Sequence, residues 1–123
     1  MLRNLRSQKT LARNIEWMKN SVERSRGLLK YKEAPQDYVA IFKLPLNGFF
    51  PLIHCVGMKF PIDIVFCNSN KIVRSVFKSV RPGRFILPWA YLLGGCKYLL
   101  EFSGADTSDI LLGDQLEWGD RPS

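Results

Sequence analysis

The stretch "IHCVGMKFPIDIVF", residues 53–66, holds the only histidine of the chain, Cys55, Pro61 and an aspartate, Asp63, inside an apolar run. Read as paired extended backbone, it forms strands around Pro61. That residue lacks a backbone donor and suits a strand start or an edge. Ile62, Ile64, Val65 and Phe66 then belong to a core. Asp63 among them must be hydrogen-bonded or paired, or its pKa rises.

The flanking segments carry the same signature. "YVAIFKL" from Tyr38 is β-branched and aromatic, and "KIVRSVFKSV" from Lys71 is strand-like. In the latter, simple alternation sets Ile72, Arg74, Val76 and Lys78 on one face and Val73, Ser75, Phe77 and Ser79 on the other. Asn68, Ser69 and Asn70 suit a tight turn, because asparagine tolerates positive φ. "WAYLLGGCKYLLEF" reads as strand with a bend at Gly94-Gly95, and "DQLEW" as a last strand. "ADTSDILLG" reads as a short helix or a turn. Asn20 and Glu23 have capping-box spacing and predict a short helix ending near Leu29 or Lys30. The expected fold is mainly β, α+β at the margin: a compact antiparallel β-sandwich or small barrel with one or two short helices.

A chain of 123 residues is one domain by size. The uncharged run Leu44–Met58 is interrupted by proline, glycine and histidine and falls short of the ~20 apolar residues of a membrane-spanning helix. Three cysteines without CxxC spacing fit a reducing, cytoplasmic setting rather than a disulfide framework. The net charge of +7 resides in residues 1–32, with nine basic and two acidic side chains; the rest is balanced. Residues 1–14 have two readings: an Arg-rich targeting segment, or a strand hairpin with a solvated basic face. The hairpin is favoured, with residues 1–10 basic enough to form a flexible arm.

The central stretch resembles the signature of the domain of unknown function 192 family. So do Glu23, Arg24, Gly27, Leu28 and Leu29 upstream, and Leu100, Glu101, Gly104, Gly113 and Asp114 downstream. The likeness runs over roughly residues 5 to 118 with matching order and spacing. It implies a compact β-rich sandwich or barrel and no known activity. The chain departs from that pattern at Cys67–Asn70, where the family usually has an aspartate-containing turn, and at Phe102-Ser103, where it often has a proline.

Individual residues have a chemical and a plain reading. His54 is a candidate base or ligand, or a neutral ring at a strand start. His54 and Cys55 point to opposite faces of a strand, so they do not readily share an ion, and no metal site or cofactor is implied. Asp63 and Glu101 sit in apolar strands. They either share one pocket as an acid/base pair or are satisfied by backbone donors, Arg81 or Arg84. Asp114 after Gly113 is most simply a turn residue, and the thiols are inert.

These residues define an expected pocket of His54, Met58, Asp63, Glu101, Arg81 and Trp89. With no full catalytic constellation, the leading expectation is a non-enzymatic module for a small ligand or a protein segment. The alternatives are a hydrolase-like or metal-assisted enzyme using His54, Asp63 and Glu101, and an anion or nucleic-acid binder using the basic beginning. The nucleic-acid reading lacks a recognised motif.

Overall fold

The structure is a computed structural model, and it describes residues 1–18, 36–43, 53–54, 60–80, 85–86 and 96–119. The strands are β1 (Leu2–Asn4), β2 (Lys9–Ala12), β3 (Asn14–Met18), β4 (Tyr38–Lys43), β5 (Ile53–His54), β6 (Ile62–Cys67), β7 (Val73–Val80), β8 (Phe85–Ile86), β9 (Tyr98–Ser103) and β10 (Leu116–Glu117). The helix expected from Asn20 lies outside the described residues. Residues 104–113 form turns, and no helix occurs among the described residues.

A five-stranded sheet has the order β3-β4-β9-β6-β7, a three-stranded one β10-β1-β2, and β5 pairs with β8. The pairing is not purely antiparallel as expected, because β3 runs parallel to β4. Residues 19–37 connect those two strands, enough chain for the crossover of about a dozen residues that parallel neighbours need.

The two larger sheets enclose one core. Leu2, Leu11 and Leu116 of the small sheet pack with Val39, Ile41, Val65, Leu100 and Phe102 of the large one. Two features join the sheets. Residues 9–18 run from β2 straight into β3, bending at Arg13, so one ribbon serves both sheets. On the other side, an isolated bridge pairs Ile72 with Gln115. The arrangement is that of a small, partly closed barrel. Residues 1–10 are thus not a loose arm. β1 and β2 form the antiparallel hairpin, and Leu2 is fully buried. Burying one such side chain contributes about 1.5–3 kcal/mol.

The outer face of the large sheet is also apolar. Tyr38, Ala40, Phe42, Ile62, Ile64, Phe66 and Leu99 form a second cluster there. A strand buried on both faces reads as a continuous apolar run, which explains "IDIVF" and "YVAIF".

Two register shifts on β7 overturn its simple alternation. Phe66 pairs with Ser75 and Cys67 with Val73, so Arg74 is an extra residue; Ile62 and Ile64 pair with Val80 and Phe77, so Lys78 and Ser79 together oppose Asp63 and one of them is extra. The extra residue at Arg74 brings Val73 and Val76 to the same inner cluster, although parity alone separates them. The turn before β7 also differs from expectation. Its positive φ falls on Lys71, at 64°, and not on an asparagine. Asn68 instead uses its side-chain oxygen to accept from the backbone of Asn70 and Ile72, at 2.9 and 3.0 Å. Lys71 is held by Trp118, through its carbonyl oxygen at 3.0 Å and its ring at 4.8 Å.

Candidate functional site

Strand register decides what the carboxylates can do. On β9 and β6, Glu101 lies opposite Ile64, whereas Asp63 lies opposite Phe102. Successive side chains point to opposite faces, so Glu101 faces the outer cluster and Asp63 the inner side. The two acids expected to share a pocket are separated by the sheet itself. Of the other expected pocket residues, His54 is placed only as backbone in β5, opposite Phe85. Its side chain, Met58, Arg81 and Trp89 lie outside the described residues.

Asp63 is fully engaged. Its Oδ1 accepts from the Ser79 backbone N–H at 2.7 Å, and its Oδ2 from the Thr107 hydroxyl at 2.6 Å. Ser79 lies in the bulge and has φ 50°. Asp63 therefore pins the strained turn of β7 and ties it to the loop after β9, where the Lys78 ammonium donates to the Thr107 carbonyl. Among the described residues its partners are a backbone N–H, as the plain reading of the sequence had it, and the Thr107 hydroxyl; Arg81 and Arg84 lie outside the described residues.

Asp114 has the densest polar network, well beyond a turn residue. It is 5% exposed. Oδ1 accepts from Arg6 Nε at 2.7 Å; Oδ2 accepts from Asn4 Nδ2 at 2.9 Å, Arg6 Nη2 at 3.0 Å and the Leu111 N–H at 2.9 Å. The Arg6 guanidinium holds its carboxyl down at about 2. This network fastens the start of the chain to its end. Lys9 pairs with Asp106, and Arg13 with Asp37 at 3.1 Å. Of the nine basic side chains in residues 1–32, Arg6, Lys9 and Arg13 are thus ion-paired within the fold.

Glu101 is different. It is half-buried in the middle strand of the large sheet, between Ala40 on β4 and Ile64 on β6. No described residue gives it a hydrogen bond or an ion pair. Burial alone pushes its carboxyl up to about 7. Two residues along β9, Ser103 shares its face and lies opposite Tyr38. Ser103 is 3% exposed, and its hydroxyl has no hydrogen-bond partner. Glu16 flanks Ala40 on the other side and accepts from the Tyr38 hydroxyl. The described outer-face site is therefore Glu16, Tyr38, Ala40, Glu101 and Ser103. Sequence reasoning reached only Glu101. The period-two set of Leu99, Glu101 and Ser103 was legible, but the pairing with β3 and β4 was not.

Gly104 holds this end of β9 in place. Its φ is 60°, and a Cβ there would lie 2.7 Å from the backbone of Gln36, beside the start of β4. Burial raises the thiol pKa of both Cys67 and Cys96, so neither is poised as a nucleophile. Among the described residues, no three His, Cys, Asp or Glu side chains gather as a metal site, and no helix is long and apolar enough to cross a membrane.

Residues 3–118 match DUF192, described as an uncharacterized ACR. The chain belongs to the DUF192 family. A UPF0127 protein of Pyrococcus furiosus is 30% identical over 119 residues, covering 94% of this chain and 95% of that one. Two crystal structures share the fold. A Novosphingobium aromaticivorans protein of unknown function superposes with TM-score 0.67 at 24% identity, covering 85% of this chain and 74% of its own. A transcription-regulator candidate from Sinorhizobium meliloti gives TM-score 0.66 at 21% identity, covering 84% and 79%. In this DUF192 chain, Asp63 and Asp114 are fastened into the scaffold. Glu101 is the member of the set left with no structural task among the described residues.

Proposed function

We propose that this DUF192 protein is a non-enzymatic binding module that holds a small ligand at the outer face of its large sheet, around Glu101. One observation carries the reading: a carboxyl that burial destabilises, in the central strand, with no hydrogen-bond or ionic partner among the described residues. Such a group lowers stability and offers an open acceptor or donor, the signature of a residue kept for contact with something else. The buried side chains of Phe42 and Leu99, which face each other across β4 and β9, give that carboxyl its apolar surroundings. The separation of Asp63 from Glu101 argues against the hydrolase-like alternative, since a two-carboxylate mechanism needs both acids on one substrate.

Native mass spectrometry of the purified protein and its Glu101→Leu variant tests the proposal. A retained small molecule in the parent that is lost in the variant is expected. A molecule retained equally by both proteins, or by neither, overturns the site.

A further inference from the structure

β7 stands last in the order β3-β4-β9-β6-β7, so among the described strands only β6 pairs with it. An edge strand presents a row of backbone donors and acceptors to any other extended chain, a second copy of the protein included. The fold itself closes both ends of this row. At its start, the Val73 N–H donates to the Asp114 carbonyl at 2.8 Å, and the Val73 carbonyl accepts from the Gly113 N–H at 2.9 Å. At its end, the Ser79 N–H donates to Asp63. Between them, from Arg74 to Lys78, no described residue outside β6 bonds to the backbone. The regular part of that opening is Ser75, Val76 and Phe77, paired in step with Phe66, Val65 and Ile64.

Cations stand at both ends of the opening. Arg74 and Lys78 are exposed, and no described acid forms an ion pair with either. The Lys78 ammonium is held by two neutral oxygens, the Thr107 carbonyl and, at 3.3 Å, the Thr107 hydroxyl. Antiparallel copies paired about Val76 would set Arg74 of each opposite Lys78 of the other. A pairing shifted along the strand runs into Val73 or Ser79, whose N–H groups are already engaged. We infer that Arg74 and Lys78 hold this edge closed to a second copy of the chain, and that Thr107 serves the same end by fixing Lys78 in place. Like charges directly opposite each other on neighbouring strands are destabilising. The bulges at Arg74 and at Lys78–Ser79 leave only three regular residues, so the backbone bonds on offer are few enough for the two charges to decide the outcome. The guard does not depend on what Glu101 binds.

Sedimentation velocity of the whole chain over a concentration series at low salt tests the guard, with amide hydrogen exchange to locate any contact. Both side chains are exposed, so their exchange leaves the core intact. Arg74→Glu turns both contacts between copies from repulsive to attractive. It is expected to strengthen self-association about tenfold or more, with the gain fading as salt is added. Lys78→Glu reaches the same pairing from the other side and is expected to act alike. Exchange at Ser75, Val76 and Phe77 is expected to slow with concentration in these single variants and not in the parent. The double variant, Arg74→Glu with Lys78→Glu, sets like charges opposite each other again. It is expected to associate no more than the parent, although its net positive charge is lower. Single variants that associate no more than the parent overturn the guard. So does a double variant that associates as strongly as they do, or a parent whose exchange at Ser75–Phe77 already slows with concentration.

Discussion

The two faces of the large sheet treat the same chemistry in opposite ways. At the inner rim, Asp63 accepts two hydrogen bonds and Asp114 accepts four, and each holds a turn or a chain end in place. On the outer face, Glu101 sits one register step from Asp63 and accepts none from a described residue. Residue type and apolar surroundings are alike, so neither tells structure from function. What separates them is whether the neighbouring strands and loops bring donors. Where they do, the carboxyl is scaffold. Where the described ones do not, burial burdens the fold with it.

The comparison can be broken most forcefully at Asp114. Asp114→Ala leaves Asn4, the Leu111 N–H and Arg6 without their acceptor, and a loss of about 4 kcal/mol in denaturant unfolding is expected. Its folded pKa lies below the unfolded value of 3.8, so its contribution is present above that value and fades as pH falls toward 2. The variant should lack that acid-linked loss; a change under about 1 kcal/mol would mean the network is ornamental.

Glu101 has the reverse sign. Its folded pKa lies above the unfolded 4.5, so the native state binds the extra proton, and stability declines as pH rises from 4.5 through about 7. Glu101→Gln is therefore expected to raise stability at pH 8, by as much as about 3 kcal/mol, and to change little at pH 4. Thermal melts at the two pH values check this. Equal melting points at pH 8 would remove the claim that this carboxyl is a burden.

Asp63→Ala should cost about 2 kcal/mol by orphaning the Ser79 N–H and the Thr107 hydroxyl, with no effect on ligand retention. Loss of the ligand with full stability would exchange the roles of the two faces. The smallest effect belongs to the bulge that Asp63 secures. Ser79→Gly relieves a left-handed conformation and should stabilise by up to about 1 kcal/mol, read from the denaturation midpoint.

Much of the fold was legible because apolar, β-branched runs admit few alternatives. "YVAIF" and "IDIVF" announced strands covered on both sides, and the basic start was rightly read as a hairpin. The β3–β4 pairing was hidden, because parallel neighbours meet through a long crossover that leaves no local mark. The faces of β7 were hidden by bulges that a period of two cannot see. The site was half legible. Glu101 stood out as an acid in "YLLEF", but Glu16 and Tyr38 join it only through partners remote in sequence, and Asp63 drew the same suspicion although the turn at Ser79 claims it.

The ribbon that passes through Arg13 makes the smaller sheet and the larger one mechanically inseparable. Neither can peel away without breaking a strand the other relies on, and the clasp at Asp114 shuts the remaining seam. Loosening either join would be felt at the far side of the molecule, so the protein is built to come apart in one concerted event, with the setting of Glu101 surviving only as long as both joins hold.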